Sequence, residues 1–175
     1  MKNKQLRKPA QTEDDLILPV VANIDEARLW SKDFASILTA GPSKREVRWN
    51  HPNHRVWEFG DTTVGAHAPT LQAVTEAVQW GEMQDDLLVH CHAGMSRSTS
   101  IAWGISIARG ADPLDSFLAL RNAQPKENTW LKGTARGREF IPNRLIVQHL
   151  DTLFGTKGEL FAIRMEHMTP WAWAE

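Results

Sequence analysis

Between Asp85 and Arg109 the chain passes from an acidic turn, Asp85-Asp86, through a compact apolar stretch, Leu87-Leu88-Val89-His90, and a loop of small residues into a segment apolar nearly all round. That last segment, Arg97 to Arg109, carries Ile101, Ala102, Trp103, Ile105, Ile107 and Ala108. A helix without a polar face has to be buried on every side, so this pattern predicts a central helix. The short apolar run before it predicts the buried strand that feeds it. Strand, tight loop and buried helix in succession belong to an α/β architecture.

The remaining elements follow the same alternation. Leu16-Ile17-Leu18-Pro19-Val20-Val21 and Ala35-Ser36-Ile37-Leu38-Thr39-Ala40 are apolar runs that predict strands, the second closed by Gly41-Pro42. Between them Asp25 to Phe34 is helix-like, with Asp25 as its N-cap. His54-Arg55-Val56-Trp57-Glu58-Phe59 alternates polar and apolar residues, the period of a strand. From Pro69 to Met83, Leu71, Val74, Val78 and Trp80 recur at helical spacing, with Pro69 in the first turn. Asp112-Pro113 starts a helix that ends near Gln124-Pro125, where the proline forbids continuation. Ile141-Pro142-Asn143 opens another that runs to about Phe154 and is closed by Gly155. The expectation is one α/β domain over residues 16–155, with a central, mostly parallel sheet of four to five strands flanked by helices. A mobile tail at 1–15 precedes it and a C-terminal extension at 156–175 follows. The polar stretch Lys126 to Phe140, with Lys132, Arg136 and Arg138, predicts a surface connector, with a substrate-contacting basic flap as the alternative, and Trp171 and Trp173 near the end either pack back on the core or form a contact surface.

Composition narrows the function. Lys plus Arg number 20 against 21 for Asp plus Glu, so there is no global basic field and nucleic acid is not an expected partner. Cys91 is the one cysteine, which excludes an internal disulfide and fits a reducing compartment, here expected to be the cytoplasm. The basic start, Met1 to Pro9, is followed by polar residues where a secretory signal places its apolar stretch. No run approaches the roughly eighteen apolar residues of a spanning helix, so no membrane partner is expected. His51, His54 and His67 have no acidic or cysteine partners at ligand spacing and read as surface or loop residues, so neither metal nor cofactor is expected.

The segment that carries chemistry is Val89-His90-Cys91-His92-Ala93-Gly94-Met95-Ser96-Arg97-Ser98, set between the strand and the buried helix. A tight loop entering a helix N-terminus turns successive backbone N–H groups inward and adds the helix dipole, which together bind phosphate. The backbone of His92, Ala93, Gly94, Met95 and Ser96 would supply those donors, and Gly94 with the small Ala93 and Ser96 lets the chain curl closely. The same field stabilises a thiolate, so Cys91 is the expected nucleophile. Arg97 would bring its planar fork to two phosphoryl oxygens, and Ser98 a hydroxyl to the sulfur.

His90-Cys91, five further residues with Ala93-Gly94 among them, then Arg97-Ser98, resembles the signature loop of the cysteine-dependent protein tyrosine phosphatases. The likeness is greatest to the compact dual-specificity branch and to short bacterial tyrosine phosphatase-like proteins. It implies a metal-independent phosphatase acting through a phosphocysteine on a phosphorylated protein or small phosphoester, phosphotyrosine first and phosphoserine or phosphothreonine second; a monomer is expected. It also implies a general acid on a separate loop roughly thirty residues ahead of the nucleophile, where Asp61 stands after Phe59-Gly60. Asp61 as a turn cap is the plainer alternative. His90 supports the cysteine in the family. Pro142-Asn143 is similar to a helix start found late in dual-specificity members, and Asn143 either steadies the loop or simply caps the helix.

Phospholipid-hydrolysing members tend to carry lysines inside the loop, which this chain lacks, and a chain without tyrosine lacks the ring-clamping segment of the longer tyrosine-specific enzymes. Two other classes stay open. A silent phospho-binding module would keep the loop without turnover, and a rhodanese-like sulfurtransferase would not need Asp61.

Overall fold

The computed structural model of the chain describes residues 18–41, 50–124 and 139–168. Among them, strands β1 (Val20–Ala22), β2 (Ser36–Ala40), β3 (His54–Trp57) and β4 (Leu87–His90) form one sheet in the order β1-β4-β2-β3, every pairing parallel. The helices are α1 (Ile24–Trp30), α2 (Leu71–Glu82), α3 (Arg97–Ala108), α4 (Pro113–Asn122), α5 (Arg144–Phe154) and α6 (Glu159–His167). The expected α/β fold with a parallel central sheet is present. Leu16, Ile17, the tail at 1–15, residues 126–138 of the expected connector, Trp171 and Trp173 lie outside the described residues.

Successive side chains of a strand point to opposite faces, and here both faces are covered. Val21, Leu38 and Val89 pack into the larger core with residues of α2, α3 and α5, while Val20, Ala22 and Leu88 pack against Ala27 and Trp30 of α1 and Phe34. That double burial is why these strands read as unbroken apolar runs. α3 is the central helix its composition predicts: every residue from Arg97 to Ser106 is buried. The register aligns Ala22 with His90 and Thr39 with His90, so the chain leaves β1, β2 and β4 along one edge of the sheet. The loop after β4 starts at that carboxyl edge.

Several local expectations are corrected. Asn23, not Asp25, caps α1: its Oδ1 accepts from Asp25 N at 3.0 Å and Glu26 N at 2.9 Å, and Glu26 Oε2 accepts from Asn23 N at 3.0 Å. This reciprocal capping box satisfies donors that Asp25, inside the first turn, could not reach. The α-helix ends at Trp30, and a 3-10 turn over Ser31–Asp33 replaces the expected last turn. Thr70 caps α2, which puts Pro69 outside the helix, and Leu71 is 40% exposed rather than in the core. β3 stops at Trp57, short of the expected Phe59. Phe140, expected in the connector, is buried with its ring 4.9 Å from that of Phe117. His51 and His54 are half-buried: His51 Nε2 lies 3.0 Å from the Phe34 carbonyl oxygen, and His54 stands on β3.

Helix α6 has no counterpart in the sequence reading, yet its Leu160 belongs to the larger core. Asp151 of α5 ties it down. Asp151 Oδ1 accepts from Thr156 Oγ1 at 2.6 Å, Gly158 N at 3.1 Å and Leu160 N at 3.0 Å, and Oδ2 accepts from Phe161 N at 3.1 Å. Asp151→Ala strands those α6 donors and is expected to lower the unfolding free energy by about 3 kcal/mol, measured by urea denaturation. Among the described residues no helix is long and apolar enough to cross a membrane.

Candidate active site

Cys91 follows β4, and residues 92–96 form a run of bends between it and α3. Neighbouring elements hold it by its carbonyl oxygens: His92 O accepts from Ile24 N at 3.2 Å, Met95 O from Ile141 N at 2.9 Å, and Ser96 O from Ser100 Oγ at 2.8 Å. A trans peptide points its C=O and the next N–H in opposite directions. The N–H groups of Ala93, Ser96 and Arg97 therefore turn away from those neighbours. Gly94 has φ +72°, and a Cβ there would lie 2.8 Å from the Ala22 carbonyl carbon and the Asn23 nitrogen. Only glycine lets the loop pass the end of β1 that closely.

Cys91 lies at the loop's floor, 1% exposed. Gly94 N–H donates to its sulfur at 3.2 Å, and Ser98 Oγ is 3.1 Å from the same atom. Arg97 enters from the first turn of α3 with its side chain buried. Its Nη1 donates to the Phe59 carbonyl oxygen at 3.1 Å, while Nε is buried without a hydrogen-bond partner among the described residues. A buried guanidinium N–H left open is costly unless a ligand completes it. Gly41 makes room for this side chain: with φ +85°, it is the residue whose added Cβ would fall 1.9 Å from Arg97 Nη1.

Asp61 reaches the same loop from the segment after β3. Its Oδ1 accepts from Ser96 Oγ at 2.7 Å and from Asn143 Nδ2 at 2.8 Å, and its Oδ2 lies 3.9 Å from Arg97 Nε. Asn143 is the helix cap, and its side chain also reaches Asp61. Its Oδ1 caps α5 by accepting from Leu145 N and Ile146 N, its amide holds Asp61, and its backbone N–H donates to Ser100 Oγ at 2.7 Å. Cys91, Arg97, Ser98, Asp61, Ser96, Gly94 and Asn143 thus meet in one place, whereas His92 is exposed. The sequence does not disclose Phe59 as the acceptor for Arg97 or Gly41 beneath it, since both are backbone features without a side-chain signature.

His90 is fully buried. Its Nε2 lies 2.6 Å from Thr39 Oγ1 and its Nδ1 3.4 Å from the Cys91 carbonyl oxygen. Burial, with smaller effects of His54 and Arg28, pushes its pKa from 6.5 down to about 3, against the raising effect of the Cys91 carbonyl. The unfolded chain then binds a proton that the folded chain refuses. Stability is complete above about pH 6.5 and falls as pH drops toward 3, by up to about 1.4 kcal/mol per unit. Urea midpoints between pH 7 and pH 4 are expected to show this slope, and His90→Gln to flatten it.

No protein-family model and no curated protein matches the sequence. Solved structures do match the fold. The chain is similar to DUSP15, with TM-score 0.52 and 17% identity over 87% of this chain and 95% of that one. It is similar to the Yvh1 phosphatase domain from Chaetomium thermophilum, with TM-score 0.51 and 18% identity over 85% and 96%. It also matches the human tyrosine phosphatase-like serine/threonine/tyrosine-interacting protein, with TM-score 0.52 and 15% identity over 80% and 91%. The chain has the fold of the cysteine-dependent protein tyrosine and dual-specificity phosphatases.

Proposed function

We propose that the chain is a metal-independent protein phosphatase that hydrolyses phosphotyrosine, and phosphoserine or phosphothreonine as secondary substrates, through a phosphocysteine. The observation that carries this reading is the convergence of the Cys91 sulfur, the open Arg97 Nε and the Asp61 carboxyl on one loop at the N-terminus of a buried helix. The substrate phosphoryl group sits on the loop amides and takes Arg97 Nε. The Cys91 thiolate attacks phosphorus while the bond to the leaving oxygen breaks, and Asp61 gives that oxygen its proton. Ser96 and Asn143 both engage Oδ1, which leaves Oδ2 as the atom to carry the proton. The Asp61 carboxylate next takes a proton from a water attacking phosphorus. The P–S bond breaks, Ser98 donates its hydroxyl to the departing sulfur, and phosphate leaves.

Hydrolysis of phenyl phosphate and 4-nitrophenyl phosphate, without added metal, tests the reading. Asp61→Asn is expected to cost about 10²-fold or more on phenyl phosphate and far less on the nitrophenyl ester, whose leaving oxygen needs little protonation. Equal losses on both esters would mean that Asp61 shapes the loop but transfers no proton. A wild type that binds phosphotyrosine peptide and never turns it over would make the loop a recognition site. Thiosulfate turnover would favour the sulfurtransferase reading.

A further inference from the structure

His54 lies outside the reacting groups, on β3 at the end of the sheet order, yet an unbroken line of polar atoms joins it to Cys91. Its Nε2 is 2.8 Å from Thr39 Oγ1, that hydroxyl is 2.6 Å from His90 Nε2, and His90 Nδ1 is 3.4 Å from the Cys91 carbonyl oxygen. Thr39 is fully buried on β2 and owns one proton, so between two imidazole nitrogens it donates to one and accepts from the other. The direction is decided at the Cys91 end. A carbonyl oxygen only accepts, so His90 Nδ1 carries a proton. Burial keeps His90 neutral near pH 7, which leaves its Nε2 bare to accept from Thr39. With its proton committed there, the Thr39 oxygen accepts, and His54 Nε2 supplies the N–H.

We propose that His54 is a positioning residue of the Cys91 loop, its Nε2–H fixing the Thr39 proton on His90 so that His90 keeps the tautomer that tethers the Cys91 carbonyl. Two imidazoles on one hydroxyl are thereby ordered in opposite tautomers, Nε2–H at His54 and Nδ1–H at His90. Burial, then the charge of His51, holds His54 below its ordinary pKa, so it serves as a neutral donor above pH 7. The catalytic meaning of the tether rests on Cys91 being the nucleophile. The proton order does not.

The test is long-range ¹H–¹⁵N NMR of the imidazoles at pH 7.5, paired with the rate of Cys91 alkylation by iodoacetamide, in wild type, His54→Gln and His54→Phe. Wild type is expected to show the opposite tautomers. His54→Phe is expected to let His90 populate both tautomers and to slow alkylation about fivefold, the scale of one neutral hydrogen bond. His54→Gln, whose amide can donate from nearly the same place, is expected to restore the His90 tautomer and to stay within about twofold of the wild-type rate. The same tautomer at both residues, or a His54→Phe protein unchanged in His90 tautomer and alkylation, overturns the proposal. Should His54→Phe not fold, the wild-type tautomers and the glutamine variant decide it. Opposite tautomers in a chain that hydrolyses no phosphoester would sink the phosphatase reading and leave the relay standing.

Discussion

Cys91→Ser is expected to abolish phosphoester hydrolysis, a loss of at least about 10⁴-fold in kcat, while phosphate binding stays within about threefold of wild type. The sulfur sits 1% exposed, where Gly94 N–H donates to it and Ser98 faces it. A serine oxygen fills nearly the same space and meets the same partners, but near neutral pH it holds its proton and is a poor nucleophile. The loop's amides and Arg97 do not depend on the sulfur, so the anion site survives. Stopped assays on phenyl phosphate and calorimetric titration with inorganic phosphate separate the two properties. Loss of both together would mean that the substitution collapses the loop, and retained turnover would exclude Cys91 as the nucleophile.

Arg97→Lys is the second large effect, about 10³-fold in kcat/KM, in spite of conserving the charge. The guanidinium is held by one edge: Nη1 donates to the Phe59 carbonyl oxygen, and Gly41 clears the space beside it. Nε is left buried and open for a phosphoryl oxygen. A lysine ammonium is a single point. It can satisfy Phe59 or meet phosphate, but cannot be anchored by one nitrogen while another reaches the substrate. Kinetics on 4-nitrophenyl phosphate check this, since that ester is insensitive to the acid. A lysine variant keeping more than about a tenth of wild-type kcat/KM would show that charge alone suffices there.

Of the residues behind these two effects, the sequence discloses one half. Cys91, Arg97, Ser98 and Gly94 were legible because strand, loop and helix are contiguous, and the loop's chemistry is carried by residue types at fixed spacing. Asp61 was legible as a residue after a strand end, but the side chains that hold it, Ser96 and Asn143, come from elements far apart in the chain. Asn143 shows the difficulty: an asparagine before a helix predicts a cap, and the spare amide that reaches Asp61 depends on where α5 packs. Asn23 and Glu26 have capping-box spacing, but the adjacent Asp25 is an equally good capping residue type, so the sequence alone does not choose between them. The chain Thr39, His54 and His90 was invisible, since it exists only once β2 lies between β3 and β4. His54 therefore reads as a surface or loop residue. Helix α6 was missed for a similar reason: its N-terminus is held by Asp151, a side chain of the preceding helix, and not by a cap within its own sequence.

The measurement closest to the central claim is a rapid denaturing quench of the wild-type chain during turnover of a good aryl phosphate, followed by mass spectrometry of the peptide that contains Cys91. The account predicts that peptide carrying one phosphoryl group on sulfur, absent in Cys91→Ser and accumulating at burst rates in the wild type. Sustained turnover with an unmodified Cys91 peptide, or phosphate found on His92 instead, would contradict it.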